Sequence, residues 1–125
     1  MQYVTTEGAQ GICPAGSHIP SDNDWKILEM QLGMTQAQAD LANAWRGTNQ
    51  GTQLKSGGTS GFNGLLAGFR FTDGFFYGLS SNAALWSSSE SSASAWIRSL
   101  LSVYTTVGLT TDDKGYGFSV RCLGN

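Results

Sequence analysis

Tyr116-Gly117-Phe118-Ser119-Val120-Arg121-Cys122 alternates strictly, with aromatic, Val and Cys side chains on one side and Gly, Ser and Arg on the other. A period of two is the mark of a strand, here with Tyr116, Phe118, Val120 and Cys122 turned inward. Reading back from it, the same period runs through residues 65–71 and 75–79. These flank Thr72-Asp73-Gly74, a three-residue hairpin loop with Gly where the left-handed residue belongs. Leu85-Trp86 and residues 95–101 and 103–109 read as further short strands. The second half of the chain is therefore a sheet.

Upstream the period changes. Ser21-Asp22-Asn23-Asp24 is a helix start, because the Ser21 oxygen can accept from the backbone N–H three residues on, and Asp22 and Asp24 suit the positive end of the dipole. Trp25, Leu28 and Leu32 then fall at i, i+3 and i+7, one apolar stripe on a helix that runs to Leu32, and Gly33 supplies the stop. Thr35 opens a second helix with Gln38 as its capping-box partner, and Ala39, Ala42 and Trp45 give it a thinner buried face. Between Gly47 and Gly64 the chain turns to Gly, Thr, Ser, Asn and Gln, a long loop that Leu54 and Phe62 pin to the core. Two helices followed by an irregular antiparallel sheet make an α+β domain spanning residues 1–125, with no internal repeat.

Composition agrees. Charged residues are 13% of the 125, Gly is 17, and 40% of the chain is hydrophobic with four Trp, four Tyr and six Phe. This excludes a coiled coil or helical bundle and is too much core for a disordered chain. No apolar run approaches the ~18 residues of a membrane-spanning helix, so membrane insertion is not expected. With a net charge of −2 and seven scattered Lys and Arg, the chain offers no field for a phosphate backbone, and nucleic acid is not an expected partner. Met1-Gln2-Tyr3-Val4-Thr5-Thr6-Glu7 has neither the basic start nor the apolar stretch of a secretion signal.

Cys13 and Cys122 stand near the two ends, and neither belongs to a CxxC. With a single His and no further thiol, a zinc site lacks ligands. If the ends of the chain meet, a bridge closing about 109 residues stabilises by about 4 to 5 kcal/mol on the chain-entropy account. The competing reading is two separately buried thiols, as a reducing compartment would enforce.

Five segments taken together resemble a known family. They are Gly11-Ile12-Cys13-Pro14-Ala15-Gly16-Ser17-His18-Ile19-Pro20-Ser21, Asp24-Trp25, Gly51-Thr52-Gln53-Leu54-Lys55-Ser56-Gly57, Leu85-Trp86-Ser87-Ser88-Ser89-Glu90 and the closing Tyr116–Cys122 stretch. In that order they are similar to the Fibrobacter succinogenes major paralogous domain. The resemblance implies a C-type lectin-like fold of the formylglycine-generating-enzyme type, with the N- and C-terminal strands paired, residues 2–5 beside residues 116–122, and Cys13 near Cys122. It also implies kinship with variable proteins diversified by retroelements, whose changed positions fall between the hairpin and the closing strand, and an extracellular, cell-surface or phage-particle location.

The inventory for chemistry is thin. His18 is the only imidazole and no Ser sits in a Gly-x-Ser-x-Gly elbow, so no catalytic residue is assigned. Formylglycine-generating enzymes use two closely spaced thiols, which Cys13 and Cys122 are not. The loop and strand patterns of calcium-dependent sugar binding do not appear, and Glu90, Asp112 and Asp113 alone fall short of the ligands calcium needs; no metal or cofactor is expected. Glu90 is expected to cap or to pair with Arg98 or Arg121, and Asp112-Asp113 to form a hairpin tip with Lys114 and Gly115.

Residues 95–113 are the most suggestive. If Trp96, Arg98 and Leu100 face inward, period two sends Ile97, Ser99 and Leu101 outward, and Val103, Tyr104, Leu109, Thr111, Asp112 and Asp113 add to that surface. An apolar, uncharged patch of this kind suits a binding centre. The expectation is a noncatalytic recognition domain for a protein or surface glycan, with an inert surface-anchored module as the alternative. Replacing Ile97, Leu101 and Tyr104 together by Ala should then leave the melting temperature within a few degrees. If instead these side chains close a second core, folding collapses.

Overall fold

Ser21 starts the first helix as its side chain predicts. Its Oγ accepts from the Asp24 N–H at 3.1 Å while the Asp24 carboxylate accepts from the Ser21 N–H at 2.9 Å, a reciprocal capping box. The computed structural model describes residues 6–125. Its elements in chain order are β1 (Ser17–His18), α1 (Asp22–Gln31), α2 (Gln36–Asp40), β2 (Ala44–Arg46), α3 (Gln50–Leu54), β3 (Ala67–Arg70), β4 (Phe76–Leu79), β5 (Asn82–Ser91), β6 (Ser94–Leu101), β7 (Val107–Asp113) and β8 (Leu123–Gly124). The fold is α+β.

Helix α1 buries Trp25 with Leu28 and Leu32 alongside, and Gly33, at φ +107°, turns the chain away. Thr35 and Gln38 form the second capping box, but α2 ends at Asp40, so Ala42 and Trp45 do not lie on a helical face as expected. Asn43 at φ +55° redirects the chain, and residues 44–46 become β2, paired antiparallel with β7. A tertiary partner for three residues of backbone overrides the local helical pattern. The same override makes α3 out of the Gly-, Thr- and Gln-rich segment read as loop. Its cap residue Asn49 makes no capping bond, and Gln50 holds it instead, accepting from the Thr48 N–H at 2.7 Å and donating to the Leu32 carbonyl at 3.3 Å. Leu54 and Phe62 do anchor this segment, Phe62 against Trp25 at 5.8 Å between ring centroids.

Six strands form one mixed sheet in the order β2-β7-β6-β5-β3-β4, antiparallel throughout except between β3 and β5. The β3–β4 hairpin turns at Gly74, φ +90°, as predicted. β1 and β8 form a separate pair, Ser17 opposite Gly124 and His18 opposite Leu123. An early and a late strand therefore meet, while residues 2–5, expected beside residues 116–122, lie outside the described residues. The closing segment wedges between β3 and β5. Gly117 exchanges backbone hydrogen bonds with Arg70, and Ser119 donates to Ala84 and accepts from Trp86. Its inward residues are the predicted ones: Tyr116, Phe118 and Val120 cover Ala84, Trp86, Ala95 and Ile97.

That cover corrects the outward assignment of Ile97, which is 2% exposed. Alternation does turn Ile97 away from Arg98 and Leu100, but both faces of β6 are roofed at that point. Leu109 is buried as well, opposite Arg98 in the β6–β7 register. The last long strand also begins later than expected, at Val107, because residues 101–104 form a turn that the Lys55 ammonium staples, donating to the Leu101 and Tyr104 carbonyls at 2.8 and 2.7 Å.

The side of the sheet that meets the helices holds a charge network. Glu29, fully buried, is gripped by the Arg98 and Arg46 guanidinium groups; Arg98 also donates to the Asp22 carboxylate at 2.7 Å, and Lys26 reaches Asp22 and Asp40 at 3.2 Å each. Burial pushes the Arg46 guanidinium below its ordinary pKa, with Glu29 working in the opposite direction. The serines Ser87, Ser88 and Ser89, also buried, bond the backbone of Trp96, Ile19 and Asp22. Cys13 and Cys122 form a disulfide, Cα atoms 5.8 Å apart, within a third small cluster with Ile19.

Candidate functional site

On the face of the sheet away from the helices, the roof laid by Tyr116, Phe118 and Val120 stops short. Strand alternation places Ser99 on β6, Gly108, Thr110 and Asp112 on β7, and Trp45 on β2 toward this open part, with Gly108 directly opposite both Ser99 and Trp45. Gly108 is what lets the indole lie there. A Cβ at this position would stand 3.1 Å from the Ser99 Cβ and 3.3 Å from two atoms of the Trp45 ring. Tyr104, from the stapled turn, meets Trp45 edge-on with centroids 4.7 Å apart and planes at 89°. Trp45 and Tyr104 stay 40% and 43% exposed, and neither belongs to a core cluster.

Two hollows flank Trp45. One, of about 320 Å³, is bounded by Trp45, Phe69, Ser99, Leu101, Asp112 and Tyr116, with Ile97 on its lining. The other, of about 200 Å³, lies between Trp45, Asn43, Ser99 and Thr110, with Leu109 on its lining. Beyond the first, Phe69, Phe71, Tyr77 and Tyr116 continue as an aromatic array, neighbouring rings 5.0 to 6.4 Å apart. Among the described residues no Lys, Arg or His lines either hollow. Asp112 supplies the one carboxylate, and burial, reinforced by neighbouring Asp113, holds its carboxyl above the usual range.

The residues predicted for this surface divide into three groups. Ser99, Leu101, Tyr104 and Asp112 gather around Trp45. Ile97 and Leu109 belong to the interior and contribute only to the floors of the hollows. Val103 projects from the turn, 82% exposed, while Thr111 and Asp113 alternate with Thr110 and Asp112 toward the other side; Asp113 accepts from the Gly115 N–H at 2.7 Å in the tip predicted there. Sequence reasoning missed Trp45, Phe69, Tyr116 and Gly108 as site residues. A lone Gly in a strand pattern is a known sign of close approach by another group, and Gly108 was the available signal.

The other candidates for chemistry are occupied. His18 faces the Asn125 amide oxygen through Nδ1 at 2.6 Å and the Asp24 carboxylate through Nε2 at 3.4 Å, so two side chains occupy its ring nitrogens. Glu90 pairs with Lys114, not with Arg98 or Arg121, and Arg121 lies over the Phe62 ring, 4.6 Å from its centroid. Among the described residues no group of three or more His, Cys, Asp or Glu converges as metal ligands would, and no helix is long and apolar enough to cross a membrane.

Neither a curated protein nor a solved structure gives a significant match to this chain. The sequence profile of the Fibrobacter succinogenes major domain matches residues 2–123, nearly the whole chain. The order of motifs from Cys13 to the closing strand thus has a family behind it, and the chain belongs to the Fibrobacter succinogenes major domain family.

Proposed function

We propose that this domain is a noncatalytic recognition module, lectin-like in architecture, that binds a protein or a surface glycan through the open sheet face around Trp45. One observation carries the reading. Trp45 and Tyr104 are large, packed edge-to-face on each other and substantially exposed, yet neither belongs to a core cluster. Aromatic anchors of this kind dominate binding energy at recognition surfaces. Because the scaffold does not need these side chains, their identities can change without unfolding it. That property suits diversification by a retroelement, for which a reverse transcriptase gene beside an imperfect 3′ repeat would be the genomic sign. A location outside the reducing cytoplasm accords with the disulfide.

The test is a glycan array and a cell-surface pulldown with the intact domain and with Trp45→Ala. The reading expects a partner retained by the native domain and lost with the variant at an unchanged melting temperature. Silence of the native domain in both assays favours an inert surface module, and equal capture by the variant moves the site elsewhere.

A further inference from the structure

Nearly every carboxylate has a partner inside the molecule. Glu29 is held by two arginines, Asp22 by Arg98 and Lys26, Asp40 by Lys26 and Glu90 by Lys114. Asp24 is held by Ser21 and His18, Asp73 accepts from the Tyr77 hydroxyl at 2.7 Å, and Asp113 accepts from the Gly115 N–H. Two are left over, the exposed Glu7 and Asp112, and of these Asp112 is the one at a hollow. Among the described residues its side chain has neither an ion pair nor a hydrogen bond, and it borders the larger hollow together with four aromatic residues, Trp45, Phe69, Tyr116 and Phe118.

A carboxylate partly withdrawn from water without a counter-charge is a standing cost to the fold. Aromatic faces add to the same demand, since their quadrupole presents negative potential to whatever lies over them. Among the described residues no Lys, Arg or His lies on the lining, which leaves the place open to a charge brought by another molecule. We infer that the hollow bounded by Trp45, Phe69, Tyr116 and Asp112 takes a cationic group, the ammonium or guanidinium of a basic side chain projecting from a partner protein. The inference rests on the recognition reading of this face and names its ligand chemistry.

Size agrees with a single projecting side chain. About 320 Å³ is at the lower end of the range for ligand pockets, typically ~300 to 1,000 Å³. The exposed Tyr104 and Val103 beside it give the rest of a partner's surface something apolar to cover. A glycan hydroxyl could donate to Asp112 but would leave its charge uncompensated.

The test follows the Trp45 indole N–H resonance of the 125-residue domain, assigned by its loss in Trp45→Phe, during titration with three probes. They are Nα-acetyl-lysine amide, its neutral counterpart Nα-acetyl-norleucine amide, and methyl α-glucopyranoside. The lysine probe is expected to shift the resonance saturably, the norleucine probe to bind at least about fivefold more weakly, and Asp112→Asn to weaken lysine binding about tenfold. Among the described residues the Asp112 side chain makes no hydrogen bond or ion pair, so Asp112→Asn should fold, and an otherwise unchanged amide spectrum verifies it. Equal binding of the lysine and norleucine probes, or lysine binding indifferent to Asp112→Asn, overturns the cation assignment. A shift with the glucoside and none with lysine also overturns it but leaves the recognition reading standing. No shift with any probe, together with silence in the array and pulldown, removes both.

Discussion

On the helix side of the sheet, Glu29, Arg46, Arg98 and Asp22 are drawn into one charge network, whereas on the opposite side the Asp112 side chain has no partner among the described residues and Trp45 and Tyr104 remain partly in water. Two layers built from alternate residues of one sheet thus use polarity in opposite ways. The charge network ties α1 to β2 and β6, with the Arg46 Nε left without a hydrogen-bond partner among the described residues. A face whose exposed aromatic groups meet one another outside the core, and whose carboxylate is unpaired among the described residues, contributes little to folding and keeps its interactions for another molecule.

The largest effect that would break this contrast is at Glu29. Glu29→Leu leaves two buried guanidinium groups facing each other, and the expected loss is about 3 to 5 kcal/mol, read as a fall in denaturation midpoint. A loss below about 1 kcal/mol would mean that the helix side is not organised by charge. Next comes the disulfide. Replacing Cys13 and Cys122 together by Ser should cost about 2 to 5 kcal/mol, measured by thermal unfolding of both forms under nonreducing conditions.

Ile97 and Trp45 sharpen the comparison within the open-face side itself. Ile97→Ala should cost about 2 to 4 kcal/mol because its methyl groups are enclosed, while Trp45→Ala should cost under about 1 kcal/mol. Ile97 therefore has to be left out of the surface triple, and Leu101→Ala with Tyr104→Ala is the pair that should leave the melting temperature within a few degrees. Equal costs for Ile97→Ala and Trp45→Ala would erase the distinction between roofed and open parts of the face.

The smallest effect is at Asp112. Its carboxyl titrates above the ordinary value in the folded state, first through burial and then through Asp113, so the ionised form opposes folding. That penalty is complete above the folded pKa, diminishes as pH falls through it, and is gone below the unfolded value of 3.8. Asp112→Asn should accordingly raise the melting temperature slightly at pH 7 and not at pH 3. Asp24 runs the other way: burial would raise it, but the Ser21 hydrogen bonds and His18 together outweigh burial and hold it low. Its stabilisation is present above the unfolded pKa and is lost as acid carries the pH down through the folded one. Opposite pH trends in Asp112→Asn and Asp24→Asn, followed by circular dichroism, check both signs.

What could be read in advance was local or periodic. The Ser21 and Thr35 caps, the turns at Gly33 and Gly74 and the inward side of Tyr116–Val120 involve contacts within a few residues or a fixed strand period. Glu29 escaped notice because a Glu on an amphipathic helix ordinarily faces water, and its two arginines come from β2 and β6. The pattern from Ala39 onward continues acceptably for one more helical turn, so the local sequence puts Trp45 on a helix. Only the availability of β7 as a neighbour changes that outcome.

The sequence alone determined where α1 and α2 begin, where the chain turns at Gly33 and Gly74 and which residues of a strand share a side, since those follow from backbone sterics and short-range hydrogen bonding. Which sides are covered was decided by the tertiary structure. The closing segment crosses Ile97 yet stops before Ser99, and β2 carries Trp45 over Gly108. Burial and exposure on the two faces depend on segments tens of residues away, and no local pattern encodes how far such a segment reaches.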